Sequence, residues 1–114
     1  MTPGRRSSLV ALALLGGVVA SGVAQAQESL TVTVTHYALH GTTYAGTQTR
    51  PGVAACSWNI PLHSTIRFED GRSYRCEDRG AGLGHAGWID VWVGDVATAR
   101  QLGRYTATVE VTRP

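Results

Sequence analysis

The stretch Asp78 to Trp92, DRGAGLGHAGWIDVW, decides how this chain is read. It sets one acid, Asp78, before a glycine-rich loop carrying His85, and a second acid, Asp90, inside an apolar run. Gly80, Gly82, Gly84 and Gly87 permit positive φ and tight bends, whereas Trp88, Ile89, Val91, Trp92 and Val93 are strand formers that favour burial. The loop turns the chain back on itself, and Asp90 becomes a carboxyl in an apolar neighbourhood. Desolvation and a nearby carboxylate both raise a carboxyl pKa, which is one way to make a general acid. The plainer reading has Asp78 and Asp90 capping turns or pairing with Arg75 and Arg79.

Outward from this stretch, the start of the chain has the parts of a secretory signal. Arg5 and Arg6 precede an apolar run from Leu9 to Ala20, and Ala24-Gln25-Ala26 is a small-residue cleavage site. Cleavage is expected after Ala26, leaving Gln27 to Pro114 as a single small domain. The apolar run is short for a bilayer span of ~20 residues, so no stable membrane insertion is expected once the signal is removed. The formal net charge of +2 comes from Arg5 and Arg6, because the remaining eight Arg are matched by eight acids. A neutral exported part with no basic run and no interleaved aromatics argues against nucleic-acid binding.

Cys56 and Cys76 both fall in the exported part, where a disulfide is the first reading. Two Cys without paired spacing and four scattered His give no recognisable metal-ligand set, and nothing in the chain asks for a cofactor.

The remaining sequence reads mainly as strand. Leu30, Val32 and Val34 alternate with Thr31, Thr33 and Thr35 up to Tyr37, the period of a half-buried strand. His36 to Gly52 has the composition of a long loop, in which Tyr37, His40 and Tyr44 are candidate ligand contacts. Val53 to Trp58 is a short strand broken by Asn59-Ile60-Pro61. Thr65 to Glu69 and Ser73 to Glu77 form a hairpin across Asp70-Gly71, with Ile66, Phe68, Tyr74 and Cys76 facing one way. After Trp88 to Val93, Asp95 caps the one expected helix, whose Val96, Ala99 and Leu102 share a face and which Gly103 ends. Tyr105 to Val111 alternates again, with Tyr105, Ala107, Val109 and Val111 inward. About six strands and one short helix in so few residues favour a small closed barrel, since closure removes exposed edges. Trp88 or Trp92 is expected to pack in the core beside the buried strand, and Trp58 is a further aromatic that could stack on sugars.

Four stretches, taken in order, resemble one family. They are Thr35-His36-Tyr37, Ala55 through Ile60-Pro61-Leu62, Asp78-Arg79-Gly80-Ala81-Gly82, and Ile89-Asp90-Val91-Trp92 followed by a Gly-ended helix. Together they are similar to the 3D domain, related to the C-terminal part of membrane-bound lytic transglycosylase A. The resemblance implies a six-stranded double-psi β-barrel, the fold also of barwin and expansin proteins, exported to the periplasm or the cell wall and acting on peptidoglycan. It puts Asp90 at the family's catalytic acid, Asp78 at its partner aspartate and Thr35 at a groove-lining threonine. Cys56 stands where the family usually has a third aspartate, His63-Ser64 replaces a usual Gly-Thr, and Arg79 replaces a small residue.

The implied chemistry is cleavage of a glycosidic bond by proton delivery to the leaving oxygen. A hydrolase normally uses two carboxylates, whereas a lytic transglycosylase manages with one, because the sugar's own hydroxyl closes an anhydro ring. Asp90 is the expected acid and base, Asp78 the neighbouring charge, and Thr35, Tyr37, His85 and Arg79 the expected glycan contacts. A non-catalytic polysaccharide-binding module of the expansin type is the competing expectation.

Overall fold

The computed structural model describes residues 27–80, 84 and 86–114. The expected signal peptide and His85 lie outside the described residues. The elements are β1 (Gln27–Tyr37), β2 (Val53–Cys56), β3 (Thr65–Phe68), β4 (Ser73–Asp78), β5 (Trp88–Trp92), α1 (Val96–Leu102) and β6 (Tyr105–Thr112). The six strands close into a barrel in the order β1-β5-β2-β4-β3-β6, with β6 returning to β1. The β1–β5 and β2–β4 pairs are parallel and the other four are antiparallel. Among the described residues no helix is long and apolar enough to cross a membrane.

Alternation builds the interior as the sequence predicts. Val32 and Val34 of β1, Ile66 and Phe68 of β3, Cys76 of β4, Ile89 and Val91 of β5, and Val109 and Val111 of β6 meet in one buried cluster. Ala54 and Cys56 join them from β2, and Ile60 closes the cluster from the following turn. Tyr105 departs from the expected pattern: it is 37% exposed. As the first residue of β6 it lies past the last layer of the core, with its ring against His36.

Asp70-Gly71 makes the expected hairpin between β3 and β4. Gly71 takes φ +92°, and the Asp70 carboxylate accepts from the Arg72 N–H at 3.0 Å. Helix α1 also starts and stops as expected. Asp95 accepts from Thr98 N, and Gly103, at φ +66°, donates its N–H to the Ala99 carbonyl. Its apolar face does not, however, enter the core. No residue of α1 is buried, and Val96 and Leu102 remain exposed. The barrel is already closed by its own strands, so the helix rests on the outside of β1, tied by a 2.9 Å hydrogen bond between His36 Nδ1 and the Gly103 carbonyl.

Two constraints hold the β2–β4 side together. Cys56 and Cys76 form a disulfide between these parallel strands, with Cα atoms 5.9 Å apart. Close by, His63 adopts φ +73°, the one described non-glycine residue with positive φ. Its N–H donates to the Cys76 carbonyl at 2.7 Å, and the Cys76 N–H donates to the Ser64 carbonyl at 2.9 Å. These bonds hold a side-chain-bearing residue in a conformation that costs roughly 1–2 kcal/mol.

Replacing His63 with Gly removes that cost and adds chain entropy to the unfolded state, for a net gain of about 0.5–1 kcal/mol. A urea unfolding midpoint that failed to rise would show that the turn is unstrained. Replacing Cys56 and Cys76 together with Ser reopens a loop with a sequence separation of 20. The expected loss is about 3 kcal/mol in the chain-entropy model, read from the same unfolding curves.

Candidate functional site

Plain alternation from Cys76 would send Glu77 outward and Asp78 into the core. The structure does otherwise. Along the β2–β4 pair Ala54 lies beside Cys76, but the next residue, Ala55, lies beside Asp78. Glu77 is the extra residue of a β-bulge, and the bulge turns Asp78 onto the outer face of the barrel. On the other side of β2, Ala55 pairs with Asp90, and Asp90 in turn pairs with Thr35 of β1. The row Thr35, Asp90, Ala55, Asp78 therefore crosses four adjacent strands on one face. Only Ala55, a single methyl group, separates the acids, whose strands lie about 10 Å apart at two strand spacings.

The two carboxylates are held differently. Asp78 Oδ1 accepts from the backbone N–H groups of Tyr44 and Arg79, each at 2.9 Å, and Oδ2 accepts from the Tyr37 hydroxyl at 2.9 Å. Burial first, and then donation to Asp78, push the Tyr37 phenol well above its ordinary range, so it stays a neutral donor.

Asp90 is half-buried, and it accepts one hydrogen bond among the described residues, from Thr35 Oγ1 to Oδ1 at 2.9 Å. Desolvation raises its pKa and the charge of Asp78 adds to the rise, against the opposing pull of Thr35 and His36. Thr35 is itself oriented, because Trp88 Nε1 donates to its Oγ1 at 3.0 Å. With that lone pair occupied, the Thr35 proton points to Oδ1, and Oδ2 is the oxygen left to carry a proton.

Trp88 and Trp92 flank Asp90 on the same outer face of β5, while Ile89 and Val91 point inward. They are half-buried there and not in the core, contrary to the sequence expectation. Trp92 Nε1 donates to the Leu39 carbonyl, and the His40 ring meets Trp92 edge-on. His40 thus supports the loop after β1. Gly87, which leads into β5, takes φ +81°, and a Cβ there would come within 3.2 Å of the Thr31 carbonyl. Only glycine fits this approach without a shift.

Arg79 does not pair with Asp78 through its side chain. Its Nη1 donates to the carbonyls of Cys56, Ser57 and Ile60 at 2.8–3.0 Å, and its guanidinium lies 4.7 Å from the Trp58 ring centre. Desolvation lowers the Arg79 pKa. The Arg79 side chain thus stitches the turn after β2. Arg75 also avoids Asp78 and approaches Glu77 at 3.7 Å.

Glu77 and Arg50 are the residues that sequence reasoning missed. The bulged Glu77 is only 3% exposed, and Arg50 from the long loop binds it with two hydrogen bonds of 2.9 Å. Thr47 Oγ1 adds a donor, and the Ala45 N–H donates to the Glu77 carbonyl at 3.0 Å. The bulge and the loop thus hold each other, and the loop carries Tyr44 to Asp78. The available signal was the adjacency of two acids, Glu77 and Asp78, at the end of a strand whose alternation has room for one on each face.

No group of three His, Cys, Asp or Glu residues able to hold a metal occurs among the described residues. The site is an acid pair with its hydrogen-bond donors, suited to proton transfer. Compared with protein-family models, with curated proteins and with solved structures, the chain matches none.

The raised Asp90 carboxyl has a consequence for stability. Because its folded pKa lies above its unfolded value, the folded state holds this proton more tightly, and ionising Asp90 destabilises the fold as pH rises through the folded pKa. Asp90→Asn is therefore expected to stabilise the protein at pH 7, with the gain shrinking to nothing as pH falls below the ordinary aspartate range. Urea titrations of both proteins from pH 3 to about pH 8, spanning the carboxylate range, check this. A pH-independent difference would refute it.

Proposed function

We propose that the protein is an exported cell-envelope protein of the 3D-domain type, with a double-psi barrel that cleaves the glycan strand of peptidoglycan by lytic transglycosylation. The observation that carries this reading is the division of labour between the acids. Asp78 is saturated by three donors, and Asp90 is desolvated with one oxygen open to a proton. A desolvated carboxyl with a raised pKa beside a second carboxyl held by donors suits a reaction that needs a single acid and base. The closed six-stranded barrel and the Cys56–Cys76 disulfide are compatible with the fold and the exported location that the resemblance implies.

In this reading protonated Asp90 gives its proton to the glycosidic oxygen as the bond to the anomeric carbon breaks. The sugar's own C6 hydroxyl then attacks that carbon from within the same ring. Its proton passes to the Asp90 carboxylate, which regenerates the acid, and the products are a 1,6-anhydro sugar end and a free hydroxyl. No water is consumed. The fixed charge of Asp78 stabilises the positive charge that develops on the sugar ring, and Thr35 keeps Asp90 in its rotamer.

A second reading is favoured by a different observation. Trp58 and Tyr44 are exposed aromatic residues beside the acid row, which suits a module that binds wall polysaccharide without cutting it.

Mass spectrometry of the soluble products released from peptidoglycan sacculi separates these readings. The parent is expected to release anhydro-muropeptides, and Asp90→Asn to release at least about 100-fold less, the ordinary contribution of a general acid. Products with free reducing ends would replace the transglycosylase with a hydrolase. A folded protein that sediments with sacculi and releases nothing would establish the binding module.

A further inference from the structure

Trp58 and Tyr44 form an aromatic corner at the Asp78 end of the acid row. Their ring centroids are 5.6 Å apart and their planes stand at 89°. Trp58 is 56% exposed and Tyr44 61% exposed. Two large aromatic residues left side by side in water are unfavourable for a free protein, and such patches mark contact sites.

The corner is also rigid. The Arg79 guanidinium lies over the Trp58 ring at 4.7 Å and is itself pinned by three backbone carbonyls of the turn that carries Trp58. Tyr44 is held by its own N–H, which donates to Asp78 at 2.9 Å, and by the next N–H in the chain, which donates to the Glu77 carbonyl at 3.0 Å. The backbone segments that carry both rings are thus fixed before any ligand arrives, which lowers the cost of binding. Folding alone does not require the arrangement, because neither ring contributes to the buried cluster.

We infer that the Trp58–Tyr44 corner is a sugar-stacking subsite that receives a pyranose ring of the same glycan strand whose bond reaches Asp90. This rests on the glycan-directed reading proposed above. A pyranose is amphipathic, with a face of C–H groups and an edge of hydroxyls. The C–H face meets the electron-rich indole, whose other side is covered by a cation, and the hydroxyl edge meets polar groups of the acid row. The position fits one continuous strand. Trp58 follows Ala55 by three residues, in the turn that leaves β2, and Ala55 is the residue that separates Asp90 from Asp78. A flat protein partner would be met by a broader apolar surface, whereas this corner is narrow and bordered by carboxylates.

The test is isothermal titration calorimetry with a soluble β-1,4-linked N-acetylglucosamine hexamer, carried out in the Asp90→Asn protein so that the sugar stays intact. Trp58→Ala and Tyr44→Ser are compared with it, each checked for folding by circular dichroism. The expected result is affinity about 10-fold weaker for Trp58→Ala and weaker to a lesser degree for Tyr44→Ser, with Trp58→Phe retaining part of the loss. Equal affinity in all four proteins would overturn the stacking subsite and leave the glycan-directed reading standing. Absence of binding in the Asp90→Asn protein itself, together with no sedimentation on sacculi, would overturn both.

Discussion

The bulge at Glu77 is the constraint on which the site depends. A strand pair has a side-chain period of two, so one extra residue exchanges the faces of everything beyond it. With Cys76 committed to the core by its disulfide, only an inserted residue can bring Asp78 to the outer wall opposite Ala55. An ionised side chain at a bulge, nearly shut off from water, is costly unless its charge is met. Arg50 and Thr47 meet it, and both belong to the long loop between β1 and β2. The loop is thereby ordered by the bulge it stabilises, and the backbone of that ordered loop supplies Asp78 with one of its donors. Packing, ion pairing and site geometry are one linked arrangement.

From this follows the difference between two acids of the same chemical type. Asp78 sits where a bulge, a loop and a strand end bring N–H and O–H groups together, so its charge is solvated by the protein. Asp90 sits in the middle of β5, whose own N–H groups are engaged in strand pairing and whose neighbours are Trp88 and Trp92. It receives a side-chain donor from Thr35 and loses water. The proposed chemistry draws on that asymmetry and on the narrow spacer between the acids.

Arg79 illustrates how a small barrel uses a cation that a larger protein would leave at its surface. The turn from Cys56 to Ile60 brings the carbonyl oxygens of Cys56, Ser57 and Ile60 together, and a guanidinium has the donors to bind several at once. The disulfide fixes β2 to β4 beneath, and the Trp58 ring lies against the cation. A domain of this size buries too little apolar surface to rely on its core alone.

Much of the fold was legible in the residues themselves. The alternation of β1, β3 and β6, the Asp70-Gly71 turn, the Asp95 cap and Gly103 stop of the helix, and the pairing of the only two cysteines all follow from local rules whose range is a few residues or from simple arithmetic. Sequence alone also singled out Asp90, Asp78, Thr35 and Tyr37; the structure sets the first three in one row and brings the Tyr37 hydroxyl to Asp78. It could not decide what these groups face. The bulge, the exposure of the helix and the positions of Trp88 and Trp92 outside the core depend on which strands become neighbours in the closed barrel. Nor could local rules reveal that Arg79 serves a turn 20 residues earlier, or that Arg50 and Glu77 belong together, because those contacts span 19 to 27 residues of chain. Barrel closure makes such pairs adjacent, and a hydrogen bond or ion pair is decided by distance in space, to which position in the chain is no guide until the fold exists.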